Sequence, residues 1–377
     1  MTVLSDSAGA AVPAPVLRRS SLVLVAAAFV FICALFVGGR YGLMLAIGLG
    51  FGIVLEGLRF GFAGPWRAMI LRRDPAGMWA QLIAIGLVAS VALPLIADNP
   101  GELVGAQAPI GFAMIGGAFV FGIAMQVVLG CGSGTLVNSG SGNPVSLLAL
   151  PFFAIGSFAG SYHLLWWTDL GALPIENLSG WQGVAITLAG LLLVGAVLWA
   201  WAAPENRRLP RRLMIAAACL AGLALLNLVV AGQPWGVVYG LGLWVAKIVS
   251  SSGVDLAGSA FWAAPTSQTR LNSSVLTDYT SLTNIGIILG AYFVASWRIG
   301  GFSQKLPSLP MTAWIATILA GFLLGYSSRL AFGCNVGAFF SGISTGSLHG
   351  WVWFAAAFIG SFYGIKVRRL AGLEPRT

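Results

Sequence analysis

The stretch GCGSGTLVNSGSGNP, residues 130–144, holds five glycines, three serines, two asparagines and one cysteine. An apolar run long enough to cross a bilayer ends where it begins, and another such run starts directly after it. Lipid cannot hydrogen-bond exposed backbone, so irregular chain at membrane depth persists only when buried in protein or lining a cavity. The stretch is therefore read as a break inside a membrane segment, and Cys131 stands at its start.

The rest of the chain supports a membrane setting. It has 377 residues, of which 58% are hydrophobic and only 8% charged, against roughly 25% charged in soluble domains. Apolar runs recur over residues 22–37, 41–55, 78–97, 110–130, 145–167, 181–203, 213–232, 282–297, 311–328 and 348–365. They predict an all-α polytopic membrane protein with about ten spanning helices. Four shorter pieces, 65–73, 133–141, 234–249 and 335–345, are too short to span and suit re-entrant helices. The start, RRSSLVLVAAAFVFICALFVGG, is read as an uncleaved anchor rather than a signal peptide, since no small-residue cleavage site follows.

The net charge of +9 is spread over inter-helix loops, which excludes a nucleic-acid footprint and reports topology instead. With the N-terminus in the cytoplasm and the short pieces not crossing, fifteen Lys and Arg fall inside and three, Arg40, Lys247 and Arg270, outside. This asymmetry puts both termini in the cytoplasm, including a tail over residues 1–20.

An internal repeat underlies the layout. GIAMQVVLGCGSG (residues 122–134) and GYSSRLAFGCNVG (325–337) share G-x7-G-C-x2-G at an offset of 203. FFAIGSFAG (152–160) matches AAFIGSFYG (356–364), and AGPWRA (63–68) resembles GQPWGV (232–237). Gly52, Gly61 and Gly64 repeat the spacing of Gly122, Cys131 and Gly134. The chain thus reads as four units of helix, short piece and helix. The first half, 21–170, presents its short pieces from inside, and the second, 171–377, begins with a connecting helix and presents its own from outside. That is an inverted-topology repeat around a midplane substrate pathway.

Short helices restarting after Cys131 and Cys334 would aim free N–H groups at the midplane, the construction of an anion site. Gly130, Gly132, Gly134, Gly333 and Gly337 permit close approach of a ligand, and Asn335 adds a polar side chain. A neutral thiol is a weak donor and a polarizable neighbour, suited to a sulfur-bearing anion. Glu56, Gln126 and Arg329 each lie five residues before Gly61, Cys131 and Cys334, and charge inside a membrane marks a functional candidate. Close helix packing is the competing role for the glycines, and an interfacial place or mutual pairing the competing role for the charges. Cys33 and Cys219 are read as packing residues, and Lys247 as a cap or a snorkelling group. His163 and His349 are isolated, so no metal or other cofactor is implied.

At these residues the chain resembles the YeeE/YedE family of sulfur-compound transporters. The likeness is carried by FGCNVGAFFSGISTGS (332–347), LGCGSGTLVNSGSGN (129–143) and RFGFAGPWRAMILRRD (59–74), with GQPWG (232–236) and LWVAK (243–247) resembling the YedE-like branch. The resemblance implies a bacterial inner-membrane protein, an hourglass of helices, and uptake of thiosulfate or a related species handed between cysteine S–H groups at a constriction. It assigns that role to Cys131 and Cys334. A third family cysteine falls at Gly61, which departs from the pattern and leaves a selenium or different sulfur substrate open. A small cytoplasmic sulfur-carrier protein is an implied partner. Two alternatives stay open: a thiol protein relaying sulfane sulfur covalently, and a sensor on the same fold.

Overall fold

A computed structural model describes residues 16–299 and 308–374. The chain before residue 16, Lys305, Arg376 and the side chain of Arg18 lie outside the described residues, with the expectations that rest on them. Among the described residues, ten helices are long and apolar enough to cross a membrane, and no strand forms. The chain is an all-α polytopic membrane protein.

Helix α1 (Val16–Phe36) is peripheral, packing along α2 and α14 and exposing most of its apolar surface. The first unit comprises α2 (Gly39–Gly57), the short α3 (Ala63–Arg72) and α4 (Ala76–Asp98). The second comprises α5 (Phe112–Val128), the short α6 (Gly132–Gly140) and α7 (Pro144–Tyr162). After α8 (Leu164–Thr168) comes α9 (Gly180–Trp201). The third unit holds α10 (Arg211–Ala231), α11 (Val238–Ser251), the small α12 (Ala260–Ala263) and α13 (Pro265–Asn272), and α14 (Tyr279–Ile299). The fourth holds α15 (Met311–Leu330), a π-helix at Asn335–Phe340 running into α16 (Ser341–Ser344), and α17 (His349–Leu370).

The long helices pair by one rule. The first long helix of each group lies against the second long helix of another group: α2 on α14, α10 on α4, α5 on α17 and α15 on α7. Without water to drive association, such pairs depend on close backbone approach through small residues. A Cβ at Gly52 would lie 2.4 Å from the Ile287 carbonyl oxygen, and one at Gly156 would lie 2.0 Å from that of Phe322. The matched glycines at 156 and 360 are thus packing residues.

Three details differ from expectation. The run expected as one span over 145–167 breaks at Tyr162, with α8 a separate turn. Between α11 and α14 the chain forms α12 and α13, where polar, weakly periodic sequence gave no element to predict. Cys219, expected to pack, is exposed on α10, whereas Cys33 is buried.

Polar contacts gather the basic ends. Glu374 accepts from Arg67 and from Arg368, and Arg368 also donates to the Val127 carbonyl, tying α3, α5 and the end of α17 together. Asn206 donates to the Arg72 carbonyl at 2.8 Å on the same face. At the other face Arg40 donates to the Val230 carbonyl at 2.6 Å, and the Val104 N–H to the Gly232 carbonyl at 3.0 Å.

Candidate functional site

Three of the four first helices end by the same device. Arg59, Leu129 and Phe332 adopt left-handed backbone with φ of 50°, 56° and 55°, two residues before Gly61, Cys131 and Cys334. In each, the next N–H reaches back five residues: Phe60 to the Leu55 carbonyl, Gly130 to Met125 and Gly333 to Ser328. This is a Schellman-type closure, which turns the chain while satisfying a terminal carbonyl. In the third unit Gly232, at φ 72°, closes α10 on the Leu228 carbonyl. Non-glycine residues in this conformation are uncommon and costly, and three occupy equivalent places. Only glycine serves at residue 333, where φ is 155° and a Cβ would lie 2.5 Å from the Ala338 nitrogen.

Beyond each closure the chain restarts. Cys131 is the N-cap of α6, its sulfur accepting from the Gly134 N–H at 3.5 Å and lying 3.4 Å from the Ser133 hydroxyl. Cys334 is the N-cap of the π-helix, a widened turn frequent at functional sites. Both thiols are fully buried. The two restarts meet: a Cβ added to Gly132 would lie 2.8 Å from Cys334 Sγ and 3.2 Å from Val237 Cγ1. Residues 131–132, 237 and 334 therefore form one thin layer.

Buried polar side chains hold the irregular backbone around that layer. Gln81 donates to the carbonyls of Gly61 (2.8 Å) and Phe62 (3.3 Å) and accepts from Trp66 Nε1 (3.0 Å). Asn284 donates to the Val237 carbonyl (2.8 Å), Ser157 to Val238 (2.9 Å) and Ser341 to Trp235 (2.7 Å). Each takes a carbonyl at or just before the start of a short helix, tying irregular backbone in a non-aqueous setting. Rings link the same segments: Phe51 stacks on Trp235 at 3.9 Å, and Phe340 meets Trp235 and Phe62 edge-on.

Two cavities flank the layer and share no lining residue. One, of about 300 Å³, is lined by Glu56, Arg59, Gly61, Gly130, Cys131 and Gly134 among others. The other, of about 460 Å³, is lined by Val237, Tyr239, Arg270, Arg329, Gly333 and Gly337 among others. The larger opens beside the loop at Val104–Ala106, on the face of Arg40 and Gly232. The smaller lies at the far end of α2, where Arg298 pairs with Glu56 at 3.4 Å.

A family profile described as sulphur transport matches residues 58–363. The chain belongs to the sulphur transport family. It is similar to the thiosulfate transporter TsuA of Spirochaeta thermophila, 28% identical over 337 residues that cover 82% of this chain and 93% of that one. It is also similar to the probable transporter YedE of Escherichia coli K12, 29% identical over 137 residues, 36% of this chain and 33% of that one. As a member of the family, the chain is a transporter of sulfur compounds in a multi-pass membrane fold.

Within this sulphur transporter the candidate residues separate by position. Cys131, Gly132 and Cys334 form the layer, Gly130, Gly134, Gly61 and Glu56 face the smaller cavity, and Gly333, Gly337 and Arg329 face the larger one. Gln126 lies off both cavities, where it is fully buried and donates to the Ala63 carbonyl at 3.2 Å. Asn335 is fully buried beside Cys334, and neither atom of its amide finds a hydrogen-bond partner among the described residues. Arg329 lies 4.8 Å from the Phe261 ring and 5.8 Å from that of Tyr239, with no carboxylate in ion-pair reach among the described residues. Lys247 caps carbonyls, but of a neighbour: those of Arg270 and Leu271 at the end of α13, each at 2.7 Å. The sequence reading missed Gln81 and Asn284. Their one signal is an amide amid apolar residues, which does not say what the amide holds.

Proposed function

We propose that the chain conducts a small sulfur oxyanion, thiosulfate first among them, through the layer at Cys131 and Cys334 without forming a covalent bond to it. The observation that carries this reading is the pair of separate cavities meeting at one thin layer that contains both thiols. The similarity to a protein named a thiosulfate transporter supports the choice of anion. On this reading the halves 21–170 and 171–377 are inverted repeats, their short helices re-enter from opposite sides, and the whole is an hourglass. The larger cavity is the outer vestibule, the basic face is cytoplasmic, and the membrane is the bacterial inner membrane. A small cytoplasmic sulfur carrier receives the sulfur released inside.

The chemistry follows from the donors. Arg329 offers the outer vestibule an uncompensated positive charge beside the Phe261 and Tyr239 rings, which attracts an anion. At the layer the Cys131 sulfur accepts from the Gly134 N–H, and its own S–H can turn from the Ser133 hydroxyl to the passing anion. The unpartnered Asn335 amide adds donors at the other thiol. Weak donors on both sides bind enough to admit an anion and release it, the requirement for conduction.

Uptake of labelled thiosulfate into liposomes tests the proposal. A neutral S–H bond is worth about 1 kcal/mol, or roughly fivefold in rate. C131A and C334A should each lower uptake several-fold, and C131S and C334S, which keep a donor, should retain most of it. Uptake unchanged in C131A/C334A overturns the pathway. Abolition by either serine variant, with a persulfide on the remaining thiol seen by mass spectrometry, establishes covalent relay instead.

A further inference from the structure

An apolar groove of about 640 Å³ runs between α4 and α9, away from both cavities of the pathway. We infer that it is a binding site for one anionic phospholipid of the cytoplasmic leaflet, its acyl chain in the groove and its phosphate on Arg207. The inference rests on the orientation proposed above, with the basic face in the cytoplasm, and not on the proposed transport mechanism.

Length is the first argument. The walls run from Trp79 to Ser90 on α4 and from Leu188 to Trp199 on α9, a helical rise of about 16 Å on each. That is about half of a 30 Å hydrocarbon core, the depth of one leaflet. Gly195 opens the groove: a Cβ there would find only Leu82, at 3.9 Å.

Chemistry at one end is the second. Trp79 and Trp199 stack there at 5.1 Å, a pair of the kind found at the lipid headgroup level. The Arg207 guanidinium lies 5.2 Å from the Trp199 ring, and its Nε is buried with no hydrogen-bond partner among the described residues. Leu209 continues the groove wall from that arginine. The loop and the start of α10 carry Arg207, Arg208, Arg211 and Arg212 against the single carboxylate Glu205. A lipid phosphate supplies the acceptor that Arg207 lacks, and basic pockets between helices at this face bind anionic headgroups.

The test uses the full chain purified in detergent, with phosphatidylglycerol and phosphatidylcholine of identical acyl chains added in equal amounts and retention read by native mass spectrometry. The wild type should retain phosphatidylglycerol about five- to tenfold over phosphatidylcholine. R207Q should erase that preference, R207K should keep part of it, and G195L, which fills the groove, should lower retention of both lipids. Equal retention of the two lipids by the wild type, or a preference that survives R207Q, overturns the proposal. If R207Q does not fold, G195L decides: undiminished retention, or conversion of a dimer to a monomer, assigns the groove elsewhere.

Discussion

Gly132→Ala is the sharpest probe of the thin layer. The added methyl lies 2.8 Å from Cys334 Sγ and 3.2 Å from Val237 Cγ1, whereas ordinary contacts begin near about 3.5 Å. The thiol must move by roughly 0.7 Å or more in a site with no exposed surface to yield into. Overpacking of this kind costs about 1–3 kcal/mol. Imposed on the anion's passage, it slows uptake by about 5- to 150-fold. Gly134→Ala is the matched control. Its methyl meets only Cys131 Sγ, at an ordinary 3.7 Å, and replacing an interior helical glycine stabilises by about 0.5–1 kcal/mol. Thermal melting in detergent should therefore move down for G132A and up for G134A. In G132A/C334A the nearest atom of residue 334 becomes its Cβ, at 3.5 Å. The double variant should then recover most of the lost stability, with a coupling of about 1–2 kcal/mol. A G132A protein that melts and transports like the wild type refutes the contact. A loss that persists in G132A/C334A places the strain elsewhere.

Arg329→Gln removes the uncompensated charge of the larger cavity, and hydrogen bonds to charged groups are worth about 1.5–3 kcal/mol. It should raise the KM for thiosulfate uptake by about tenfold or more with a smaller change in maximal rate, and an unchanged KM excludes Arg329 from capture. Gly61→Cys places a thiol where the resemblance sets a third cysteine, at a position where an added Cβ meets only Pro65 Cδ, at 4.0 Å. The variant should fold as the wild type and raise thiosulfate uptake about fivefold, the worth of one added donor. An unchanged rate removes residue 61 from the relay.

The sequence made the membrane class legible because spanning helices must be long and apolar, and each of the ten expected runs overlaps one. The breaks were legible for a related reason. Glycine and cysteine at fixed spacing have no role on a lipid-facing helix, so the repeat at 122–134 and 325–337 pointed to residues that meet in space. What holds the breaks was not legible. Gln81 is remote in sequence from the carbonyls of Gly61 and Phe62, and only the folded chain brings them within 2.8–3.3 Å. The partner of Glu56 was unreadable likewise, because Arg298 reaches it across α2 and α14. The π-turn after Cys334 differs from the α-helix after Cys131 although their motifs match, since the motif ends before the bulky Phe339 and Phe340 that pack against α17 and Trp235.

Cavities on both faces of a thin layer also fix where the membrane voltage acts. On the proposed reading, in which the cavities open to opposite sides, water entering each carries the potential of its own side inward, so most of the electrical drop falls across the residues between them. A doubly charged anion entering a negative interior then works against about 4.6 kcal/mol per 100 mV, and it meets that opposition within a few ångströms of the two thiols. Inward flow is consequently set by the anion's concentration gradient, by its consumption inside, or by a cation that moves with it. Imposed potentials in liposomes should bend the uptake rate steeply, and residues at the layer should alter that steepness more than residues in either cavity.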